Sequence, residues 1–268
     1  MSTDQVDNPE MGKWDPAFTE QLYKKAGPFI RKYFRAEVRG IESVPAEDGA
    51  LIVSNHSGGM MALDVPIFGG AFYDKFGYDR PLYTLAHNQV LVGPFKEWLG
   101  RAGIIHASQA NAASALRSGA VVLVFPGGDH DSYRPTLHQN VIDFHGRKGY
   151  VKTAIETGVP IVPVVSIGGQ ETQFFLTRGN WLAKRVGLKR LRVEILPISI
   201  GFPFGLTTFL VPNFPLPAKI VTQVLKPVDV LAEFGKDPDI EEVDAHVRKM
   251  MQSALDWMAR KRRFPILG

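Results

Sequence analysis

The chain has no cysteine among its 268 residues. Disulfides, a thiolate nucleophile and Cys-ligated zinc are therefore excluded, and the redox compartment is left unmarked. No Gly-x-Ser-x-Gly elbow occurs, which argues against a serine enzyme of the α/β-hydrolase type. A P-loop and a Gly-x-Gly-x-x-Gly fingerprint are also missing, so phosphate binding in those two manners is not expected. No basic run interleaved with aromatics points to nucleic acid. Residues Met1 to Glu10 are polar and mildly acidic, without the basic and apolar regions of a secretory signal. Cytoplasmic residence is the resulting expectation.

What is present is ordinary for a globular chain: 45% hydrophobic residues, 22% charged and a net charge of +4. The length suits one α/β domain, and a chain of this size can bury a core without staples. A net charge of this size is compatible with an anionic membrane face or an acidic substrate, and it does not select either.

Hydrophobic periodicity gives the elements. Asp15-Pro16 caps a helix over about 14–36, with Gly27-Pro28 expected to break or kink it. Short apolar runs at Ala36–Arg39, Ala50–Ser54, Leu82–Ala86, Ile104–His106, Ala120–Phe125, Ile161–Ser166 and Arg192–Ile198 read as strands. Helical stretches fall at Phe95–Ala102, Asn111–Ser118 and Gly149–Thr157, the last two closed by Gly119 and Gly158. A long amphipathic helix from Glu241 to about Arg262 carries Val243, Val247, Met250, Ala254 and Met258 on its apolar stripe. Continuous apolar strands alternating with helices predict an α/β fold with a mostly parallel central sheet flanked by helices and an N-terminal helical segment. No linker or repeat divides the chain. The expected organisation is one domain: a helical segment 1–36, a catalytic core 37–232 and a C-terminal helix 233–268.

Ile195 to Ala218 carries no charge. Its length suits a membrane span, but Pro197, Pro203, Pro212, Pro215 and Pro217 argue against a regular helix. It reads as a strand with a buried loop, or as an apolar loop facing lipid or an acyl chain. The basic end Arg260-Lys261-Arg262-Arg263, beside Trp257 and Phe264, adds a reason to expect peripheral binding to the cytoplasmic face of a membrane.

Three points carry chemistry. Asn55-His56-Ser57-Gly58-Gly59 directly follows a buried strand, where ligands bind in α/β sheets. A His there can act as a general base, or can simply hydrogen-bond a loop. Phe125-Pro126-Gly127-Gly128-Asp129 ends another strand, and its backbone N–H groups suit an oxyanion or phosphate, though Pro-Gly-Gly is also common turn chemistry. Arg147-Lys148-Gly149 opens a helix and reads as an anion site or a solvated basic turn. Asp129-His130-Asp131 superficially suits a metal, but immediate neighbours rarely converge on one ion. No metal and no cofactor are expected.

In this order the segments resemble the glycerolipid acyltransferase superfamily, including the 1-acylglycerol-3-phosphate acyltransferases. Asn55-His56 with a following Asp matches the first block, and Gly103-Ile104-Ile105 through Asn111 the second. Val124-Phe125-Pro126-Gly127-Gly128 matches the third, and Val159-Pro160-Ile161-Val162-Pro163-Val164 the fourth. The Pro-Gly-Gly form of the third block and the run Arg147 to Val165 are similar to the diacylglycerol acyltransferase branch. The resemblance spans roughly Phe34 to Val230.

The resemblance implies transfer of a fatty acyl group from acyl-CoA or acyl-carrier protein to a hydroxyl of a lysophospholipid or glyceride. His56 would be the base and Asp64 its partner, with Asp129 and Asp131 in reserve. Asn55, Ser57, Gly127, Gly128, Asp129, Arg134, Arg147 and Lys148 would contact substrate. Two departures stand out. The family Asp position is Met61 here, and Asp64 lies three residues beyond it. On a straight helix Asp64 would be about 12 Å from His56, so the glycine pair must loop the chain back. Gln109 stands where an arginine is expected, and the third block lacks the usual Glu and nearby Arg. A neutral or larger lipid acceptor is favoured over a glycerol-3-phosphate-type one. A non-catalytic lipid-binding relative, or a thioester or ester hydrolase using the same His, are the alternatives.

Overall fold

The computed structural model describes residues 10–87, 90–187, 194–208, 213–262 and 264. In chain order these form α1 (Pro16–Tyr33), β1 (Glu37–Arg39), β2 (Ala50–Ser54), α2 (Asp64–Phe76), β3 (Leu82–Ala86), α3 (Lys96–Arg101), β4 (Ile104–His106) and α4 (Gln109–Arg117). There follow β5 (Val121–Val124), α5 (Gly128–Ser132), α6 (Gly149–Thr157), β6 (Ile161–Ile167), β7 (Phe174–Thr177) and α7 (Asn180–Arg185). The remainder is β8 (Ile198–Gly201), β9 (Gly205–Thr208), β10 (Val221–Val224), α8 (Val230–Phe234) and α9 (Ile240–Lys261).

A seven-stranded sheet has the order β1-β10-β6-β2-β5-β3-β4. Every neighbouring pair is parallel except β10 against β6. β2 and β6 are buried along their whole length because both sheet faces are covered. Alternation along β2 sends Leu51 and Val53 into a core shared with α4, α6 and α9, around Leu116, Val151, Val247 and Met251. Ala50 and Ile52 face the other way, against Phe68 and Phe72 of α2. This is the mostly parallel, helix-flanked α/β sheet expected from the apolar runs.

Local signals explain most boundaries. Asp15 accepts the Phe18 N–H at 2.9 Å and Pro16 opens α1. The helix runs through Pro28 instead of ending there. Pro28 and Lys24 both face solvent, so water can take the Lys24 carbonyl that loses its partner. On α9 the buried apolar positions are Val243, Val247, Met251, Leu255 and Met258. Met250 and Ala254 lie beside that line and are only partly buried.

The uncharged segment differs from its expected form. The strand begins at Ile198, and residues 188–193, including Arg192, lie outside those described. β7, β8 and β9 pair antiparallel as a separate three-stranded sheet. The C-terminal basic run is also not a free cluster. Arg262 is nearly buried and pairs with buried Glu171, and Lys261 Nζ lies 4.2 Å from the Trp257 ring centroid. Arg263 lies outside the described residues. No described helix is long and apolar enough to cross a membrane.

Candidate active site

The C-terminal ends of β2, β5 and β6 lie side by side and set the site. Asn55, just past β2, is buried and locked to β6 by two hydrogen bonds. Its Nδ2 donates to the Ser166 carbonyl at 2.9 Å, and its Oδ1 accepts the Ser166 N–H at 2.8 Å. Asn55 therefore uses both atoms of its amide to hold two strand ends together. The next residue, His56, is aimed by three contacts. Its backbone N–H donates to Asp131 Oδ2 at 2.7 Å, and its ring stacks on Phe125 at 4.3 Å. Its Nδ1 lies 3.1 Å from Asp64 Oδ2.

Left-handed backbone turns make that last contact possible. Gly58 and Gly59 have φ of 85° and 61°, and Ala62 has 43°. The chain doubles back through a 3-10 turn at Gly59–Met61 before α2 begins at Asp64. Only glycine adopts such angles without penalty, and a Cβ at Gly59 would lie 2.8 Å from the Phe175 ring. Gly58 N–H donates to Gln170 Oε1 at 2.8 Å, and the Gly59 carbonyl accepts from Ser132 Oγ at 2.9 Å. Asp64 is only 3% exposed. It accepts the Ser57 N–H at 2.7 Å and the Ser57 hydroxyl at 2.9 Å besides meeting His56. Ser57 is thus a brace for Asp64.

A carboxylate can only accept, so the His56 Nδ1 carries a proton, and in the neutral ring Nε2 is then the nitrogen with the lone pair. No described residue pairs with Nε2, and the side chain is 15% exposed. A basic nitrogen at a strand end, with its other nitrogen on a buried carboxylate, is the arrangement of a general base with an orienting acid.

The turn after β5 supports this group from below. Gly127 sits against the Asp143 carbonyl, where an added Cβ would come within 2.9 Å, and this closeness starts α5 tightly. Asp131 is fully buried, with Arg134 as its ion-pair partner. Arg134 also donates to the Gln139 carbonyl at 2.8 Å. Burial, with a smaller contribution from nearby Arg178, pushes the Arg134 guanidinium down to about 10. Arg134 is therefore placed behind the site, holding the acid that holds His56, and not at a substrate surface.

Other residues named from the sequence fall apart spatially. The Gly128 N–H donates to the Phe125 carbonyl at 3.0 Å, so it is not free for an oxyanion. Arg147 donates to the Pro126 and Gly127 carbonyls at 3.2 and 3.0 Å and stays half exposed on the rim. Asp129 is exposed, 3.6 Å from Arg147. Lys148 turns away to pair with Glu241 at the start of α9. Asp129 and Asp131 point to different partners, and no described group of three His, Asp or Glu residues could hold a metal ion. Gln170 and Ser132 were not anticipated. Their only sequence signals are the Gly168-Gly169 pair after β6 and a serine shortly after the Pro-Gly-Gly turn.

The chain is similar to known proteins. A family model described as Acyltransferase matches residues 35–167, from the end of α1 to the last residue of β6. An uncharacterised protein of Mycobacterium tuberculosis is 31% identical over 261 residues, covering 95% of this chain and 70% of that protein. A Bos taurus protein named DGAT1/2-independent enzyme synthesizing storage lipids is 29% identical over 213 residues, covering 79% of this chain and 60% of that one. The chain belongs to the glycerolipid acyltransferase superfamily. It is an O-acyltransferase by family. The crystal structure of the 1-acyl-sn-glycerophosphate (LPA) acyltransferase PlsC from Thermotoga maritima shares the acyltransferase fold, with a TM-score of 0.55 at 19% identity over 89% of this chain and 80% of that one. The matched acyltransferase region contains His56, Asp64, the Pro-Gly-Gly turn, Asp131, Arg134 and Arg147.

Proposed function

We propose that the chain transfers a fatty acyl group from acyl-CoA or acyl-carrier protein to a lipid hydroxyl at a membrane surface, with His56 as the base. The observation that carries the reading is the His56 Nδ1 to Asp64 Oδ2 contact of 3.1 Å, with Nε2 left without a partner among the described residues. The acceptor hydroxyl hydrogen-bonds to Nε2. As its oxygen attacks the thioester carbonyl, Nε2 takes the proton and a tetrahedral intermediate forms. Collapse breaks the carbon–sulfur bond. The thiolate leaves with the proton returned from the imidazolium, and the ester and free thiol are the products. Asp64 offsets the transient positive charge on the ring, and Ser57 and the glycine loop keep it in place.

The acceptor is a lysophospholipid or, better supported, a glyceride. Of the cations named near the site, Arg134 is engaged by Asp131 and Lys148 by Glu241. Arg147 remains on the rim for a single anionic contact, whether a CoA phosphate or a headgroup. Gln109 meets the start of α6 at the position where the resemblance leads one to expect an arginine. A storage-lipid role in the name of the Bos taurus relative agrees with a glyceride acceptor.

The test is lipid mass spectrometry after incubating the protein with acyl-CoA and a panel of lysolipids and glycerides. The expected result is a new ester that forms only when an acceptor is present. Free fatty acid released at the same rate without any acceptor would make the protein a thioesterase instead.

A further inference from the structure

We infer that the outer face of the β7–β8–β9 sheet is the surface by which the chain seats on an anionic lipid bilayer. This rests on the membrane-surface reading above and gives it a location. The register decides which side chains share that face. Phe174 is opposite Ile200, and Ile200 is opposite Leu206. All three side chains are exposed, Leu206 by 66%. The other face of the same strands carries Phe175 and Ser199, both buried. A small sheet with one wet face alternates apolar and polar residues. Here the exposed row is the apolar one, while the covered row sets Ser199 and Thr207 beside Phe175, so the outer row is not built to face water. At the turn between β8 and β9, Phe202 is 70% exposed, and Phe204 is exposed beside it. Contiguous exposed apolar area of this kind marks an interaction surface.

Charge selects the occupant. Between Thr172 and Ala218 there are six cations, namely Arg178, Lys184, Arg185, Lys189, Arg190 and Arg192, and one acid, Glu194. The whole chain has a net charge of only +4, so this segment carries more than the entire excess. On α7, Lys184 and Arg185 are exposed together with Trp181. Apolar side chains, an exposed Trp and the exposed cations Lys184 and Arg185 on the helix that follows β7 are the composition of a protein surface lying in an anionic headgroup layer.

The position also suits delivery. Phe175, on the inner face of β7, contacts the Gly59 loop beside His56 and meets Tyr133 edge-on at 6.0 Å. One sheet thickness separates the proposed lipid face from the loop carrying the base. The segment after β9 is tied to α1, where Tyr33 donates to the Pro215 carbonyl at 2.8 Å, and to the residue pair that follows α1, where Arg35 donates to the Pro217 carbonyl at 2.7 Å. The face is therefore fixed to the body of the protein and can set the depth at which the site approaches the bilayer.

The experiment is vesicle sedimentation of the full chain and two variants, F202D/L206D and K184E/R185E. Vesicles are phosphatidylcholine alone or mixed with phosphatidylglycerol. Wild type is expected to bind the mixed vesicles, and each variant to bind them roughly tenfold more weakly or worse. The charge-reversal variant alters only exposed helix positions, so it remains informative if the other folds poorly. Variants that bind like wild type overturn the assignment of this face while leaving membrane binding intact. A wild type that ignores both vesicle types removes the membrane reading as well. Ultracentrifugation showing a dimer that F202D/L206D dissociates, with vesicle binding unchanged, would give the face to a second copy.

Discussion

Replacing Asp64 by Asn separates the charge of the proposed partner from its shape. Asp64 Oδ2 meets both the His56 Nδ1 and the Ser57 N–H, while Oδ1 accepts the Ser57 hydroxyl. The backbone N–H of Ser57 can only donate. In Asp64→Asn the new amide must therefore place its oxygen there and its NH2 toward the Ser57 hydroxyl, which can rotate to accept. Nδ1 of His56 then still meets an acceptor, and the ring keeps its tautomer. What is lost is the difference between a charged and a neutral acceptor for the imidazolium formed during transfer. Hydrogen bonds to charged groups contribute about 1–2 kcal/mol more than neutral ones, which is roughly 5- to 30-fold in rate. Asp64→Ala removes the orienting contact as well and should be slower than Asp64→Asn. The assay is initial-rate transfer from acyl-CoA at saturating acceptor, with Tm measured in parallel. Full activity in Asp64→Asn, together with loss in Asp129→Asn, would refute the assignment.

Other expectations follow from the same contacts. Asp131→Ala leaves the buried Arg134 without its counter-charge, a loss of about 3–5 kcal/mol for a broken buried pair, so Tm should fall by roughly 10 °C; a wild-type Tm would show that the pair contributes nothing. Arg147→Ala should raise the substrate KM more than it lowers kcat, whereas Lys148→Ala, which loses only its pair with Glu241, should leave both unchanged. Asp15 is held below its ordinary 3.8, first by the Phe18 N–H and then by Arg101. Its stabilising effect is therefore complete above that value and lost as pH falls below it. The Tm advantage of wild type over Asp15→Asn should be constant from about pH 7 to pH 5 and shrink below about pH 4; an advantage undiminished at about pH 3 would deny the linkage.

Much of the central sheet is legible in the sequence because its strands are buried on both faces. Ala50–Ser54 and Leu82–Ala86 are mostly apolar runs with glycine or proline nearby, and their bounds coincide with β2 and β3. β10 and the sheet of β7, β8 and β9 are not legible in the same way. Val221–Val224 mixes Thr and Gln into a four-residue strand, and β8 is four residues that turn Ile200 outward and Ser199 inward, the reverse of the usual pattern. Around the site, the blocks locate His56 but not its geometry. Linear spacing puts Asp64 far away, and positive φ at Gly58, Gly59 and Ala62 returns it to 3.1 Å. Arg134, Arg147 and Lys148 look alike as cations along the chain. Their different placements depend on Asp131, the Pro-Gly-Gly carbonyls and Glu241, the last 93 residues beyond Lys148. Such pairings are tertiary and leave no local pattern.

The central claim is that a lipid hydroxyl is activated at His56. The most direct measurement is acyl transfer to the acceptor found by mass spectrometry, comparing wild type with His56→Ala at matched Tm and matched vesicle binding. Loss of a general base lowers the rate by about 10²–10⁴, so near-complete loss of transfer with an intact fold is the predicted result. A His56→Ala protein that transfers acyl groups at the wild-type rate would contradict the mechanism.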